Sequence, residues 1–236
     1  MISERHVAIV TGGNRGIGFE ICKELCRVGC LVVLTSRNEE GGRLAVDKLD
    51  HDVDVDVAYR KLDVTDSKDI SSLRDWILET YGRVDILINN AGVYLDEGVS
   101  VFDVDEKIMQ DTLAVNFYGA FRMCRVFVPI MRKNGYGRIV NVSSGYGAIS
   151  EMSGYVAAYR ISKIALNALT LIMADELKDE NIKINAVCPG WVHTDMGGDM
   201  APISPGRAAK DIVHFALIDA KGPTGSFFRN KRPIQW

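Results

Sequence analysis

The chain has no apolar run approaching the roughly 18 uninterrupted residues that a membrane span requires. Nor do its first residues hold the long apolar segment and cleavage site of a secretion signal. Arg5 leads directly into a strand-like run, so the expected location is cytoplasmic. An excess of either charge is also missing. The 28 Lys and Arg against 31 Asp and Glu leave a formal net charge of −3, with no basic face for nucleic acid. Proline and glycine cluster only at 189–206 and 221–225, and there is no linker, repeat or low-complexity tract. A length of 236 residues therefore suits one domain, 1–236, rather than two. Cysteine is limited to five residues. Cys22, Cys26 and Cys30 recur at every fourth position, but no histidine completes a metal-ligand pattern. They are read as small buried hydrophobes and reduced thiols, and no metal is expected.

What is present is an alternation. Short runs of Val, Ile, Leu and Ala at 6–10, 31–35, 53–59, 84–88, 138–143 and 182–187 read as strands buried on both faces. Helical patterns fill the gaps, at 16–28, 39–49, 67–81, 103–131 and 155–179, the fourth being breakable near Asn116. Strands separated by helices imply right-handed crossovers. The expected fold is an α/β doubly wound Rossmann domain, a parallel sheet of about seven strands with helices on both faces.

Two motifs carry chemistry. Thr11-Gly12-Gly13-Asn14-Arg15-Gly16-Ile17-Gly18 lies where the first strand gives way to the first helix. Glycines there let the backbone approach a pyrophosphate, whose charge the helix N-terminus stabilises. The spacing departs from the usual G-x-G-x-x-G, and glycines also make tight turns for structural reasons. At the end of the second strand, where an acid would bond a ribose 2′-hydroxyl, stands Thr35-Ser36-Arg37. Arg37, with Arg15, suits a 2′-phosphate and predicts NADP(H), although Arg37 also reads as a solvated surface residue near Glu39 and Glu40. The second motif is Tyr159 and Lys163, four residues apart and so on one helix face. Bringing a phenol from a pKa of about 10 to about 7 takes ~4 kcal/mol. One lysine charge at ~4 Å, in an effective dielectric of ~20, supplies about that much.

Together with Asp63-Val64, Asn89-Asn90-Ala91-Gly92, Asn116, Asn141-Val142-Ser143-Ser144 and Pro189-Gly190, these motifs resemble the short-chain dehydrogenase/reductases over nearly the whole length. The resemblance implies roles for particular residues. Asp63 and Val64 would hold the adenine, and Asn90, Ala91 and Gly92 the adenine-ribose side, while Asn89 could equally be structural. Pro189, Val192 and Thr194 would grip the nicotinamide carboxamide, and Lys163 the nicotinamide ribose. Ser144, with Ser143 as the alternative, would hold the substrate carbonyl. Tyr159 would give it a proton, and Asn116 would bind the water that links Lys163 to solvent. An Asp that caps the next helix fits Asp66 better than Asp63.

Cys188-Pro189-Gly190-Trp191-Val192-His193-Thr194-Asp195-Met196 and the tail from Gly222 look like the carbonyl-reductase branch. That branch implies NADPH-dependent reduction of aldehydes and ketones, with quinones and diones included. Oxidation of alcohols on the same residues, or NADP binding without turnover, are the alternatives. Only 15 positions separate Ser144 from Tyr159, so the long insertion of monomeric branch members is absent, and a homodimer or homotetramer is expected. A short substrate loop at about 193–206 is expected to leave an open pocket. Tyr94, Tyr146, Met152, Tyr155 and Trp191 are candidate walls, and His193 reads as structural.

Overall fold

The computed structural model describes residues 5–52 and 56–236. Strand β1 (Val7–Val10) leads through the glycine turn into α1 (Gly16–Arg27), and β2 (Leu31–Ser36) leads into α2 (Glu39–Asp52). Then come β3 (Val57–Lys61), α3 (Ser67–Thr80), β4 (Ile86–Asn89) and α4 (Glu106–Leu113). A π-type turn (Ala114–Gly119) joins α4 to α5 (Ala120–Asn134), followed by β5 (Gly137–Val142). After two 3₁₀ turns come α6 (Ala157–Glu176), β6 (Ile182–Cys188), α7 (Pro205–Ala216), β7 (Phe227–Arg229) and β8 (Arg232–Pro233). The sheet order is β3-β2-β1-β4-β5-β6-β7-β8, parallel throughout except for the terminal β8.

The near-continuous apolar runs produce this sheet because both faces are covered. Along β1, Ala8 and Val10 enter the layer beneath α1, α2 and α7, while Ile9 enters the layer shared with α3, α5 and α6. The same alternation holds for Val32 and Leu34 against Val33, and for Ile86 and Ile88 against Leu87. Cys22, Cys26 and Cys30 pack in the first layer, as small apolar side chains do. Among the described residues no helix is long and apolar enough to cross a membrane.

Several boundaries differ from expectation. The expected strand 53–59 is observed over Val57–Lys61, and positions 53–55 lie outside the described residues. The expected helix 103–131 is two helices joined by the π-type turn that contains Asn116. The helix expected from Tyr155 starts at Ala157, because Tyr155 and Val156 hold positive φ of 63° and 51°. The Pro/Gly-rich stretch 189–206 is loop only as far as Ser204. That residue caps α7 with a bond from the Arg207 N–H (3.3 Å), and Pro205 fills the first helical position.

Candidate active site

A cleft of about 900 Å³ lies at the carboxyl edge of the sheet, over the point where strand order reverses between β1 and β4. Every residue assigned to the site from sequence lines this cleft except Asn116, which stands just behind it.

At one end the glycine turn wraps the start of α1. Gly12 and Gly16 take left-handed φ of 65° and 55°, and a Cβ on Gly18 would lie 2.1 Å from the Gly12 carbonyl oxygen. Arg15, the N-cap of α1, makes no side-chain capping bond, and the first turn carries no acid. The positive helix end thus opens into the cleft with Asn14, Ile17 and the glycines around it. Ser36 and Arg37 line the same end, with no carboxylate at the close of β2. Arg15 also bridges the cleft mouth, pairing with Asp195 at 2.6 Å. Asp63 and Val64 follow β3; the Asp63 Oδ1 accepts bonds from the Thr65 N–H and hydroxyl, while Asp66 caps α3 through the Lys68 N–H. The Asn90 amide donates to the carbonyls of Thr11 (2.9 Å) and Gly12 (3.0 Å), fixing β4 to the glycine turn. Asn89 donates to the Asn141 Oδ1 at 2.8 Å and is structural. This donor set, an open helix N-terminus with Arg15 and Arg37 beside it and no acid in its first turn or at the close of β2, fits an anionic dinucleotide.

At the other end Ser144, Tyr159 and Lys163 converge. The two adjacent serines separate cleanly. Ser143 is buried and donates to the Asn167 Oδ1 at 2.6 Å, whereas Ser144 faces the cleft and hydrogen-bonds the Tyr159 phenol. The Lys163 ammonium donates to the Val142 carbonyl at 2.9 Å and sits 5.5 Å from the centre of the Tyr159 ring. Asn116 is held on three sides. Its Oδ1 accepts from the Val93 N–H (2.8 Å), and its Nδ2 donates to the Val93 carbonyl and the Ser162 hydroxyl, both at 2.9 Å. A Cβ on Gly92 would lie 3.4 Å from the Asn116 Oδ1 and 3.7 Å from the Lys163 Nζ, so the two groups face one point.

The electrostatics correct one expectation. Burial raises the Tyr159 pKa above its ordinary value, and the Ser144 hydrogen bond offsets this only in part. Burial also lowers Lys163 to about 8, so the residue expected to supply the charge is itself discouraged from carrying it.

Of the five expected walls, Tyr94, Tyr146 and Trp191 line the cleft, whereas Met152 and Tyr155 are exposed and do not. The Tyr94 and Tyr146 rings stand 4.8 and 6.1 Å from that of Tyr159. His193 contacts Asp199 at 3.2 Å in a shallow neighbouring depression. Residues that no motif indicated also contribute. The buried Asp96 accepts a 2.7 Å bond from the N–H of Ala158, immediately before Tyr159, in place of an N-cap side chain on α6. Cys188, Glu151 and Arg229 line the cleft.

A doubly wound sheet with a dinucleotide cradle and a Ser-Tyr-Lys cluster at its carboxyl edge defines a class, that of dinucleotide-dependent oxidoreductases. The family model for short chain dehydrogenases matches residues 6–202. Carbonyl reductase [NADPH] 1 of Bos taurus is 34% identical over 283 aligned positions that cover 100% of both chains, so stretches of it have no counterpart here. (+)-Neomenthol dehydrogenase of Capsicum annuum is 32% identical, with 95% of each chain covered. Among solved structures, the NADPH-bound carbonyl reductase from chicken fatty liver superposes with a TM-score of 0.87 at 26% identity, covering 98% of this chain and 99% of that one. Salutaridine reductase from Papaver somniferum gives 0.85 at 30% identity, covering 96% and 100%. The chain belongs to the short chain dehydrogenase family.

Proposed function

We propose that this NADP-dependent short-chain oxidoreductase reduces aldehyde and ketone carbonyls, quinones and diones among them, to alcohols. The observation that carries the reading is the meeting of Ser144, Tyr159 and Lys163 at one end of a cleft whose far end presents Arg15 and Arg37, with Ser36 rather than a carboxylate closing β2. Gly12 to Gly18 would hold the pyrophosphate, Arg37 the 2′-phosphate, Asp63 and Val64 the adenine, and Asn90, Ala91 and Gly92 the adjoining ribose. Lys163 would hold the nicotinamide ribose, and Pro189, Val192 and Thr194 the carboxamide. Bound NADPH supplies the hydride that the carbonyl carbon accepts.

Ser144 donates a hydrogen bond to the substrate oxygen and stabilises the charge that develops there. Tyr159 then passes its proton to that oxygen. Burial keeps the phenol protonated at neutral pH, which is the state a donor needs, whereas alcohol oxidation would require the phenolate. Asn116, which faces the same point as Lys163, would hold the water that links Lys163 to solvent, and Lys163 would carry the replacement proton inward. The partner is a small carbonyl compound. The assembly we propose is a homodimer or homotetramer, with α6 presenting Ile161, Leu171 and Ile172 to solvent in the single chain.

The test is steady-state reduction of aldehydes, diones and quinones with NADPH and with NADH. The expected result is a higher kcat/KM with NADPH. The Tyr159→Phe variant is expected to lose turnover by orders of magnitude while still binding NADPH, as read by nucleotide fluorescence. Preference for NADH would overturn the cofactor assignment, and near-normal turnover of the variant would remove Tyr159 from the chemistry.

A further inference from the structure

Arg229 ends β7 and is paired in register with Cys188 on β6, which puts it at the carboxyl edge of the sheet beside the reacting groups. Its guanidinium crosses to the segment after β5. A Cβ on Gly145, the neighbour of Ser144, would lie 2.3 Å from the Arg229 Nη2 and 3.0 Å from the Glu151 Oε2. A side chain at 145 would have to push the far ends of this pair aside. Glu151 closes the one-turn segment Ile149–Glu151 and meets Arg229 end-on, at 3.1 Å to Nη1 and 2.8 Å to Nη2. Both residues line the cleft that holds Ser144 and Tyr159.

This is the forked geometry with which arginine takes up a carboxylate, and here the chain's own carboxylate fills it. The pair is partly exposed, 31% for Arg229 and 47% for Glu151, so its net contribution to folding is small. β7 holds the Arg229 backbone at this edge whatever stands at 151. The Arg229 hydrogen bonds hold the Glu151 pKa below the usual carboxylate range, so Glu151 keeps its negative charge throughout the neutral range. Glu97 lines the same cleft and adds a second negative charge.

We propose that Arg229 is an oxyanion-binding residue at the substrate end of the cleft and that Glu151 masks it, so the chain selects neutral carbonyl compounds over carboxylate-bearing ones. The proposal rests on the carbonyl-reductase reading of the same cleft. An incoming carboxylate has to displace Glu151 or lie beside it, whereas a neutral substrate does neither.

The experiment compares kcat/KM with NADPH for 4-carboxybenzaldehyde and for its neutral counterpart, methyl 4-formylbenzoate. It uses the wild-type chain, Glu151→Gln, and the double variant Glu151→Gln with Arg229→Met. The wild-type ratio of acid to ester is expected to lie well below one. It is expected to rise at least tenfold in Glu151→Gln and to fall back in the double variant. An unchanged ratio in Glu151→Gln, or a rise that survives the loss of Arg229, overturns the proposal. Absence of ester turnover by the wild-type chain overturns the carbonyl-reductase reading along with it, whereas ester turnover with an unchanged ratio overturns this proposal alone.

Discussion

Burial moves the two ionisable groups of the reacting end in opposite directions, and each movement has a measurable consequence. With Lys163 lowered to about 8, kcat/KM for carbonyl reduction is expected to fall as pH rises through about 8 and the ammonium is lost. The same shift acts on stability with a definite sign. Between about 8 and the ordinary 10.5, the unfolded chain holds a proton on this lysine that the folded chain has released. Stability from this group therefore increases with pH across that window, by an amount on the order of 3 kcal/mol. The buried thiols of Cys22, Cys26, Cys30 and Cys124 work the other way. Their raised pKa values favour the folded state until pH passes the unfolded thiol range. Lys163→Met isolates the lysine. Urea unfolding is expected to show wild type gaining stability on the variant between pH 7.5 and 9.5, and no gain would show the assignment wrong. The Tyr159–Lys163 pair was legible because spacing alone puts i and i+4 on one face. Its protonation was not legible, because spacing says nothing about burial. The choice between Ser143 and Ser144 likewise depended on Asn167, 24 positions away from Ser143, and no local pattern reveals such a partner.

The start of α6 is an element built against its local preferences. Tyr155 and Val156 adopt left-handed backbone that a β-branched residue rarely takes, and no neighbouring side chain caps the helix. The cap comes instead from Asp96, 62 positions upstream. Asp96→Ala is expected to leave the Ala158 N–H unpaired, costing about 1–3 kcal/mol of stability and lowering kcat as Tyr159 loses its support. Asp96→Asn, which keeps an acceptor, is expected to recover most of both. Thermal unfolding and turnover of the two variants check this, and equal losses would rule out a capping role. Most helices and strands in the first half of the chain were readable from their apolar runs and helical patterns, although the third strand, expected at 53–59, lies at Val57–Lys61. The π-type turn at Asn116 was visible only as a suspected break, because its sequence is helical on both sides. α7 was missed although its Ser204-Pro205 start is a recognisable helix signal, obscured by the glycines before it. β7 spans only Phe227–Arg229, and three residues carry no period to read.

For the molecule as a whole, the α/β alternation led directly to the doubly wound sheet, since apolar strands linked by helices have few other ways to bury both faces. The antiparallel β8 added to its edge left no such sign. The proposed homo-oligomer rests on apolar side chains that the single chain leaves uncovered. Tyr118 and Phe121 are exposed alongside Ile161, Leu171 and Ile172. Sedimentation velocity at micromolar concentration is expected to give a dimer or tetramer, and a monomer alone would overturn that expectation.

The two sides of the reacting end are anchored very differently. Val93 is bonded to Asn116, Asp96 to Ala158, and the Val99 carbonyl to the Val156 N–H, so the segment after β4 is strapped to the helix that carries Tyr159. The facing segment, 191–203, is bonded mainly to itself, through the Val192–Ile203 bridge, the Trp191 indole N–H to the Gly197 carbonyl and the Gly197 and Gly198 N–H groups to the Thr194 carbonyl, and it reaches across the cleft through the exposed Arg15–Asp195 pair. The cleft works like a vice with one fixed jaw and one adjustable jaw. Substitutions on the adjustable side are expected to cost little stability, whereas the same changes on the fixed side are expected to loosen the segment that positions Tyr159.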